Sequence, residues 1–357
     1  MIPHHIAQCR RALLPSRLFS SSSVSRHENP LGLPKRGAPP QMPRRGGPIE
    51  KRAIPNVRKV LVVASGKGGV GKSTVAVNLA FSLSDLRDPT TNTRLRVGIL
   101  DLDIFGPSVP TLMGLHDSGE PELSEVGALR PLVNHGLPTM SMGYLLPRNP
   151  ESDSTHDTPV VWRGLMVMKA VQQLLFDVDW SMGQKGAELD VLVVDMPPGT
   201  GDVPLTLGQL VKVDGALIVS TPQDVALADV RKGIAMLRKI SVPVTGLLLN
   251  NSHYFCPTCA PSPPASSTTG HSPAHSTPQY LFGPPDRFRA TATRLGIPVL
   301  AELPLVPGVS SAGDAGVPYG LVERGQRERE DGLGGVRWVE GMAGVARGVW
   351  EAIGGEK

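Results

Sequence analysis

The sequence predicts a doubly wound α/β domain built on a mostly parallel sheet. Three observations carry that reading. Short, continuously apolar runs alternate with stretches of helical period, as strands covered by helices on both faces do. The first of these runs passes through a glycine-rich turn directly into a helix. Two of the later runs end in carboxylates and one in an asparagine, at the strand ends where an open α/β sheet gathers its ligands.

Taken in order, residues 1–28 have the composition of a mitochondrial transit peptide. They are rich in arginine, carry a serine run from Ser20 to Ser23, and hold no acid before Glu28. Arg17-Leu18-Phe19-Ser20 resembles a matrix-protease cut between 19 and 20, so the mitochondrial matrix is the expected compartment. Residues 29–57 are rich in Pro, Gly and Arg without a hydrophobic period and read as a flexible arm. The folded domain is expected over 58–355. Strands read at Lys59 to Ser65, Arg96 to Asp101, Asp190 to Asp195, Ala216 to Thr221, Val244 to Asn250 and Pro298 to Leu303. A helix follows the first strand through Val75, Leu79 and Leu83, with others over Gly164 to Trp180 and Ala226 to Ile240. Apolar residues at 336, 339, 343, 346, 350 and 353 make a final amphipathic helix. Two stretches interrupt the pattern: a polar loop at 85–93 and a Pro/Ser/Thr insert at 260–278, expected to be disordered.

Charge narrows the partners. The formal net charge is +4, but residues 1–58 hold eleven Lys and Arg against Glu28 and Glu50, so the rest of the chain is acidic overall. That argues against a nucleic-acid surface. No apolar run approaches the ~20 residues of a spanning helix, so no stable membrane insertion is expected.

Gly66-Lys67-Gly68-Gly69-Val70-Gly71-Lys72-Ser73-Thr74 joins the first strand to the first helix, the context a phosphate-binding loop requires. Its glycines let backbone N–H groups approach the phosphates of ATP, and the helix N-terminus favours the anion. Lys72 is placed to reach the β- and γ-phosphates and Ser73 to meet Mg²⁺. The next strand ends in Asp101 and Asp103, and a third in Asp195, followed by Met196-Pro197-Pro198-Gly199-Thr200-Gly201-Asp202. Asn250, closing a further strand, is positioned to offer its amide to an adenine edge. Cys256-Pro257-Thr258-Cys259 supplies the only cysteines beyond Cys9. By spacing alone, this pair can share a metal centre, iron or zinc, or act as a redox couple.

Gly66 to Thr74, Asp195 to Asp202, Ser220 to Val230 and the CxxC after Asn250 together resemble the Mrp-type ATPases of iron–sulfur assembly, P-loop NTPases of the deviant Walker A (SIMIBI, MinD-like) type. The transit peptide and Asn29-Pro30-Leu31-Gly32-Leu33-Pro34 resemble the mitochondrial branch that serves respiratory complex I. The resemblance implies a slow ATP hydrolase that carries a labile [4Fe–4S] cluster to apo iron–sulfur proteins, complex I subunits among them; the alternatives are a partitioning- or division-type P-loop ATPase, or a nucleotide-gated scaffold without significant turnover. It implies that Lys67 crosses a homodimer to the partner's phosphates. Asp103 then positions the attacking water, while Asp101 supports the Mg²⁺ shell. Asp195 is the Walker B carboxylate, and Cys256 and Cys259 hold the cluster. Four thiolates commonly hold such a cluster and one mature chain offers two, so a two-fold dimer completes the set. The sequence departs from the family pattern after Cys259, where Ala260 and the insert replace a glycine and a short link to Phe282-Gly283.

Overall fold

The computed structural model describes residues 50–104, 106–145, 164–184, 186–257 and 277–354. The expected transit peptide, the expected arm to residue 49, Cys259 and all but the last two residues of the insert lie outside the described residues.

Eight strands form one sheet: β1 (Val57–Ser65), β2 (Val97–Asp101), β3 (Leu132–Asn134), β4 (Leu137–Ser141), β5 (Leu189–Asp195), β6 (Gly215–Ser220), β7 (Val244–Leu249) and β8 (Val299–Glu302). Their order is β3-β4-β2-β5-β1-β6-β7-β8. Every pairing is parallel except that of β3 with β4. The chain thus leaves β1 toward one edge and later returns to build the other, which makes the carboxyl end of β1 a switch point where ligands bind.

The helices are α1 (Lys72–Ser84), α2 (Val109–Leu112), α3 (Gly164–Phe176), α4 (Asp202–Leu210), α5 (Asp224–Lys239), α6 (Asp286–Leu295), α7 (Pro307–Asp314), α8 (Arg324–Glu330) and α9 (Gly332–Gly354). They cover both faces, which explains why the strands are apolar throughout. In β1, Val60 and Val62 face a core with Val171 and Leu174 of α3, Leu207 of α4 and Ile234 of α5. Leu61 and Val63, on the opposite pleat, face Val75 and Leu79 of α1 and Met342, Val345 and Val349 of α9. Each such fully buried aliphatic side chain contributes about 1.5–3 kcal/mol.

The six predicted strands and the four predicted helices are present, with their ends shifted by up to about one helical turn. Two differences concern strands and the arm. The hairpin β3–β4 was not expected, because Pro138 breaks the run. It closes through His135 and Gly136, with φ of 51° and 83°, the two positive angles of a type I′ turn. The folded unit also reaches further back than residue 58. Arg52 exchanges backbone bonds with Leu210 and Lys212 at 2.8 and 3.0 Å, and Ile54 is buried. The last part of the predicted arm is therefore packed onto the domain.

Candidate nucleotide site and cysteine segment

Strand register brings the acidic side chains together. β5 lies between β2 and β1, with Asp101 opposite Asp195 and Asp195 opposite Val63. Ser65, Asp195 and Asp101 therefore end at one edge, around the turn that opens α1. Within that turn Gly69 and Gly71 have φ of 77° and 82°. A Cβ on Gly71 would stand 2.4 Å from the Asn250 amide nitrogen, and one on Gly66 2.4 Å from the backbone of Asp229 on α5. Both positions require glycine: the first for conformation and space, the second for space. Gly71 caps α1 without a side-chain hydrogen bond, so the first N–H groups of the helix remain directed at the cleft.

The cleft holds about 570 Å³ and is lined by the glycine-rich turn, Lys67, Lys72, Ser73, Thr74, Asp103, Pro198 and Asp314, among others. Lys67 is exposed on the turn. Lys72 is almost wholly buried and donates to Asp195 Oδ1 at 2.6 Å and to Ser73 Oγ at 3.1 Å. Asp195 Oδ2 is buried and has no hydrogen-bond partner among the described residues. Burial pushes the Asp195 carboxyl above its ordinary range, opposed by the Lys72 ammonium and the nearby Ser73 hydroxyl.

Asp101 stands one step behind. Its Oδ1 accepts the Asp103 N–H at 2.9 Å, and its Oδ2 accepts the Val109 N–H at 3.2 Å and the Ser141 hydroxyl at 3.1 Å. These bonds fix the loop that carries Asp103 and the start of α2. Burial, with the Asp195 charge second, pushes the Asp101 carboxyl up to about 8. The sign of the resulting pH dependence follows. Between its ordinary range and about 8 Asp101 keeps a proton in the native state that it has lost in the unfolded chain, so its contribution to stability falls as pH rises through that window. Each extra proton is worth about 1.4 kcal/mol per pH unit. Chemical denaturation without nucleotide or divalent cation is expected to show this decline from pH 5 to 8, and Asp101→Asn to flatten it. Parallel slopes for the two proteins would contradict the assignment.

The segment after Asp195 bends back toward the phosphate loop. The Gly199 N–H, at φ 87°, donates to the Ser65 carbonyl at 3.0 Å, and the Ser65 hydroxyl donates to the Lys67 carbonyl at 2.9 Å. This turn leads directly into α4, which begins at Asp202.

The sequence reading gives Asn250 to the adenine edge. In the structure its buried amide nitrogen donates to the Val70 carbonyl at 2.9 Å, a bond to the phosphate loop that spacing does not reveal. Asp314, at the end of α7, and Ser141, at the end of β4, also escaped the sequence reading. Neither lies in a recognisable motif, and only the fold brings them to the cleft and to Asp101.

Cys256 is half-buried six residues beyond Asn250, preceded by buried Phe255. The adjoining Pro257 lies against the first residue of α9, where a Cβ on Gly332 would meet its backbone at 3.3 Å. Among the described residues no group of three or more His, Cys, Asp or Glu side chains is gathered to hold a metal ion. Also among them, no helix is long and apolar enough to cross a membrane.

Comparison with known proteins accords with this geometry. A family model described as the NUBPL iron-transfer P-loop NTPase, of the ParA group, matches residues 56–332. The chain is 42% identical over 320 residues to the mouse (Mus musculus) iron–sulfur cluster transfer protein NUBPL, covering 90% of this chain and 85% of that one. It is 40% identical over 273 residues to an Arabidopsis thaliana iron–sulfur protein required for NADH dehydrogenase, mitochondrial, covering 76% and 75%. Among solved structures, an ADP-bound nucleotide-binding protein from Archaeoglobus fulgidus superposes with a TM-score of 0.55 at 32% identity, covering 74% of this chain and 88% of that one. A doubly wound sheet, a phosphate loop framed by Asp101 and Asp195, and these likenesses lead to one conclusion: the chain belongs to the NUBPL iron-transfer P-loop NTPase family.

Proposed function

We propose that this chain is an ATP-gated carrier of a [4Fe–4S] cluster, held between two copies by Cys256 and Cys259 and delivered to apo-proteins of respiratory complex I in the mitochondrial matrix. The observation that carries the nucleotide part is the group formed by Lys72, Ser73 and Asp195. A buried ammonium, a hydroxyl and a carboxylate with one oxygen lacking a hydrogen-bond partner among the described residues meet at the mouth of the phosphate loop. These oxygens suit Mg²⁺, which Ser73 would hold directly and Asp195 through water. When bound, the ion supplies positive charge to the phosphate oxygens.

The chain's own residues do the rest. Backbone N–H groups from Gly68 to Thr74 cradle the phosphates, and Lys72 turns from Asp195 to the β- and γ-phosphates. Asp103 orients the water that attacks the γ-phosphorus, and Asp101 holds the Asp103 loop in place from behind. Release of the γ-phosphate frees the turn at Gly199, which is bonded to the Ser65 carbonyl. The cluster part rests on the two thiols of the CxxC and on relatives named for cluster transfer. Its test is anaerobic loading of the full chain with iron and sulfide, then incubation with an apo [4Fe–4S] enzyme. Acceptor activity is expected to recover faster with MgATP than without it. A loaded chain that never reactivates the acceptor would refute the carrier role.

Lys67 has a separate expectation. It is exposed at the cleft, where a charge crossing to a second copy would act on the transition state rather than on the bound nucleotide. Lys67→Ala is expected to lower kcat for ATP about 10²–10³-fold. Nucleotide affinity, read by calorimetry, should change little. Normal turnover in that variant would remove Lys67 from the chemistry.

A further inference from the structure

The nucleotide cleft and the cysteine segment are joined by a short stretch of backbone that begins at Asn250 and is hydrogen-bonded at Asn250, Ser252, His253 and Tyr254. On one side the Asn250 amide holds the Val70 carbonyl at 2.9 Å, close enough that Gly71 has no room for a Cβ. The Asn250 backbone N–H donates to the Ser220 carbonyl at 2.7 Å, which anchors the residue to β6. Asn251 then takes φ 53° and turns the chain away from β7. Ser252 is wholly buried, and both its N–H and its hydroxyl donate to the Leu303 carbonyl, at 2.9 and 3.1 Å. The same hydroxyl lies 2.5 Å from His253 Nδ1. The His253 carbonyl accepts the Leu305 N–H at 2.6 Å, and Tyr254 exchanges two bonds with Gln279 at 2.8 and 2.9 Å. His253 then meets the ring of Phe255 edge-on at 4.9 Å, and Cys256 follows.

A displacement of the Val70 carbonyl therefore has little slack through which to dissipate before residue 256. We propose that Asn250 is a positioning residue that couples the phosphate loop to the cysteine segment, so that nucleotide occupancy sets the exposure of Cys256. The inference rests on the reading of Cys256 as a cluster ligand only for its biological meaning; the coupling itself concerns a thiol and a loop. Phosphates bound to the turn fix the Val70 carbonyl, and the tied stretch then restricts the local opening that exposes the thiol. Removing the amide leaves the Val70 carbonyl buried without that donor and separates the two movements.

The test is the rate of Cys256 alkylation by iodoacetamide in the reduced full-length chain. Each cysteine is followed separately by peptide mass spectrometry, without cluster, with and without Mg²⁺ and adenylyl imidodiphosphate. In the wild type the nucleotide is expected to slow Cys256 alkylation about threefold or more, as local opening is suppressed. Asn250→Ala is expected to bind the nucleotide about tenfold more weakly, having lost a buried hydrogen bond. At concentrations that saturate its own isotherm, it should show no slowing at Cys256. Ser252→Ala covers the case in which the first variant binds too weakly to saturate, because it removes the hydroxyl's bonds to the Leu303 carbonyl and to His253 downstream, keeping only the backbone N–H bond there, and leaves the Val70 bond in place. Its nucleotide affinity should match the wild type while at least half of the Cys256 response disappears. A wild type whose alkylation ignores the nucleotide overturns the proposal, as does a full response in saturated Asn250→Ala or in Ser252→Ala. If the wild-type thiol responds but the chain takes up no cluster, the coupling stands and the cluster reading falls.

Discussion

Replacing Cys256 with serine is expected to abolish the proposed [4Fe–4S] cluster and the proposed two-chain assembly together, while leaving ATP binding intact. The expectation follows from counting donors. The chain has three cysteines, and Cys9 lies in the segment predicted to be removed on import. A mature chain therefore brings two thiolates to a cluster that commonly takes four, so loss of one per chain leaves two iron sites without thiolate. The serine hydroxyl is a poor substitute, because it is not ionised near neutral pH and is a harder donor. If the cluster is the principal bond between the copies, its loss also removes the force that holds them. The phosphate loop loses no bond of its own in this variant, since the Asn250 amide that holds the Val70 carbonyl is unchanged. Iron content, absorption of the thiolate-to-iron bands and sedimentation would be compared for the wild type, Cys256→Ser and Cys259→Ser. Full iron content in Cys256→Ser would place the cluster elsewhere. A monomeric wild type with four irons per chain would refute the shared site.

Much of this site was legible in the sequence because its chemistry is local. Gly66 to Thr74 must be contiguous to wrap a phosphate, and the apolar runs ending at Asp101 and Asp195 announce both a buried strand and a carboxylate at its end. Elements built against their local signals were harder to read. Val203-Pro204-Leu205 belongs to α4, but it follows Pro197, Pro198, Gly199 and Gly201, which read as a turn. Pro204 is tolerated because it sits in the first helical turn, where its missing N–H has no intrahelical partner to lose. α6 carries Arg287, Arg289 and Arg294 and presents only a narrow buried stripe of Phe288, Thr291 and Ala292, a weak periodic signal in ten residues. Roles that depend on distant pairs gave no signal at all. The amide of Asn250 reaches a carbonyl 180 positions away, and the hydroxyl of Ser141 a carboxylate 40 positions away. Both follow from strand order, which a single sequence does not contain.

Removing the Lys72 ammonium is expected to produce two separable losses. The side chain is 7% exposed and its Nζ sits 2.6 Å from Asp195 Oδ1, so Lys72→Ala leaves a buried carboxylate without its counter-charge. Asp101 lies opposite on the neighbouring strand and is itself held up by burial and by the Asp195 charge, so it offers no relief. Breaking a buried pair from one side costs about 3–5 kcal/mol when the remaining group stays charged, and less when it takes up a proton. The stability loss should therefore be larger at pH 8 than at pH 6. The second loss is functional: one charge proposed to act on the β- and γ-phosphates disappears, and ATP turnover should fall about 10²–10³-fold, with weakened nucleotide binding. Lys72→Ala combined with Asp195→Asn separates the two effects, because a neutral amide no longer needs the ammonium. The double variant is expected to regain most of the denaturation midpoint lost by Lys72→Ala while remaining as inactive toward ATP. Recovery of ATP binding along with stability would mean that Lys72 serves only to neutralise Asp195. Full ATP affinity in Lys72→Ala would remove its phosphate role altogether.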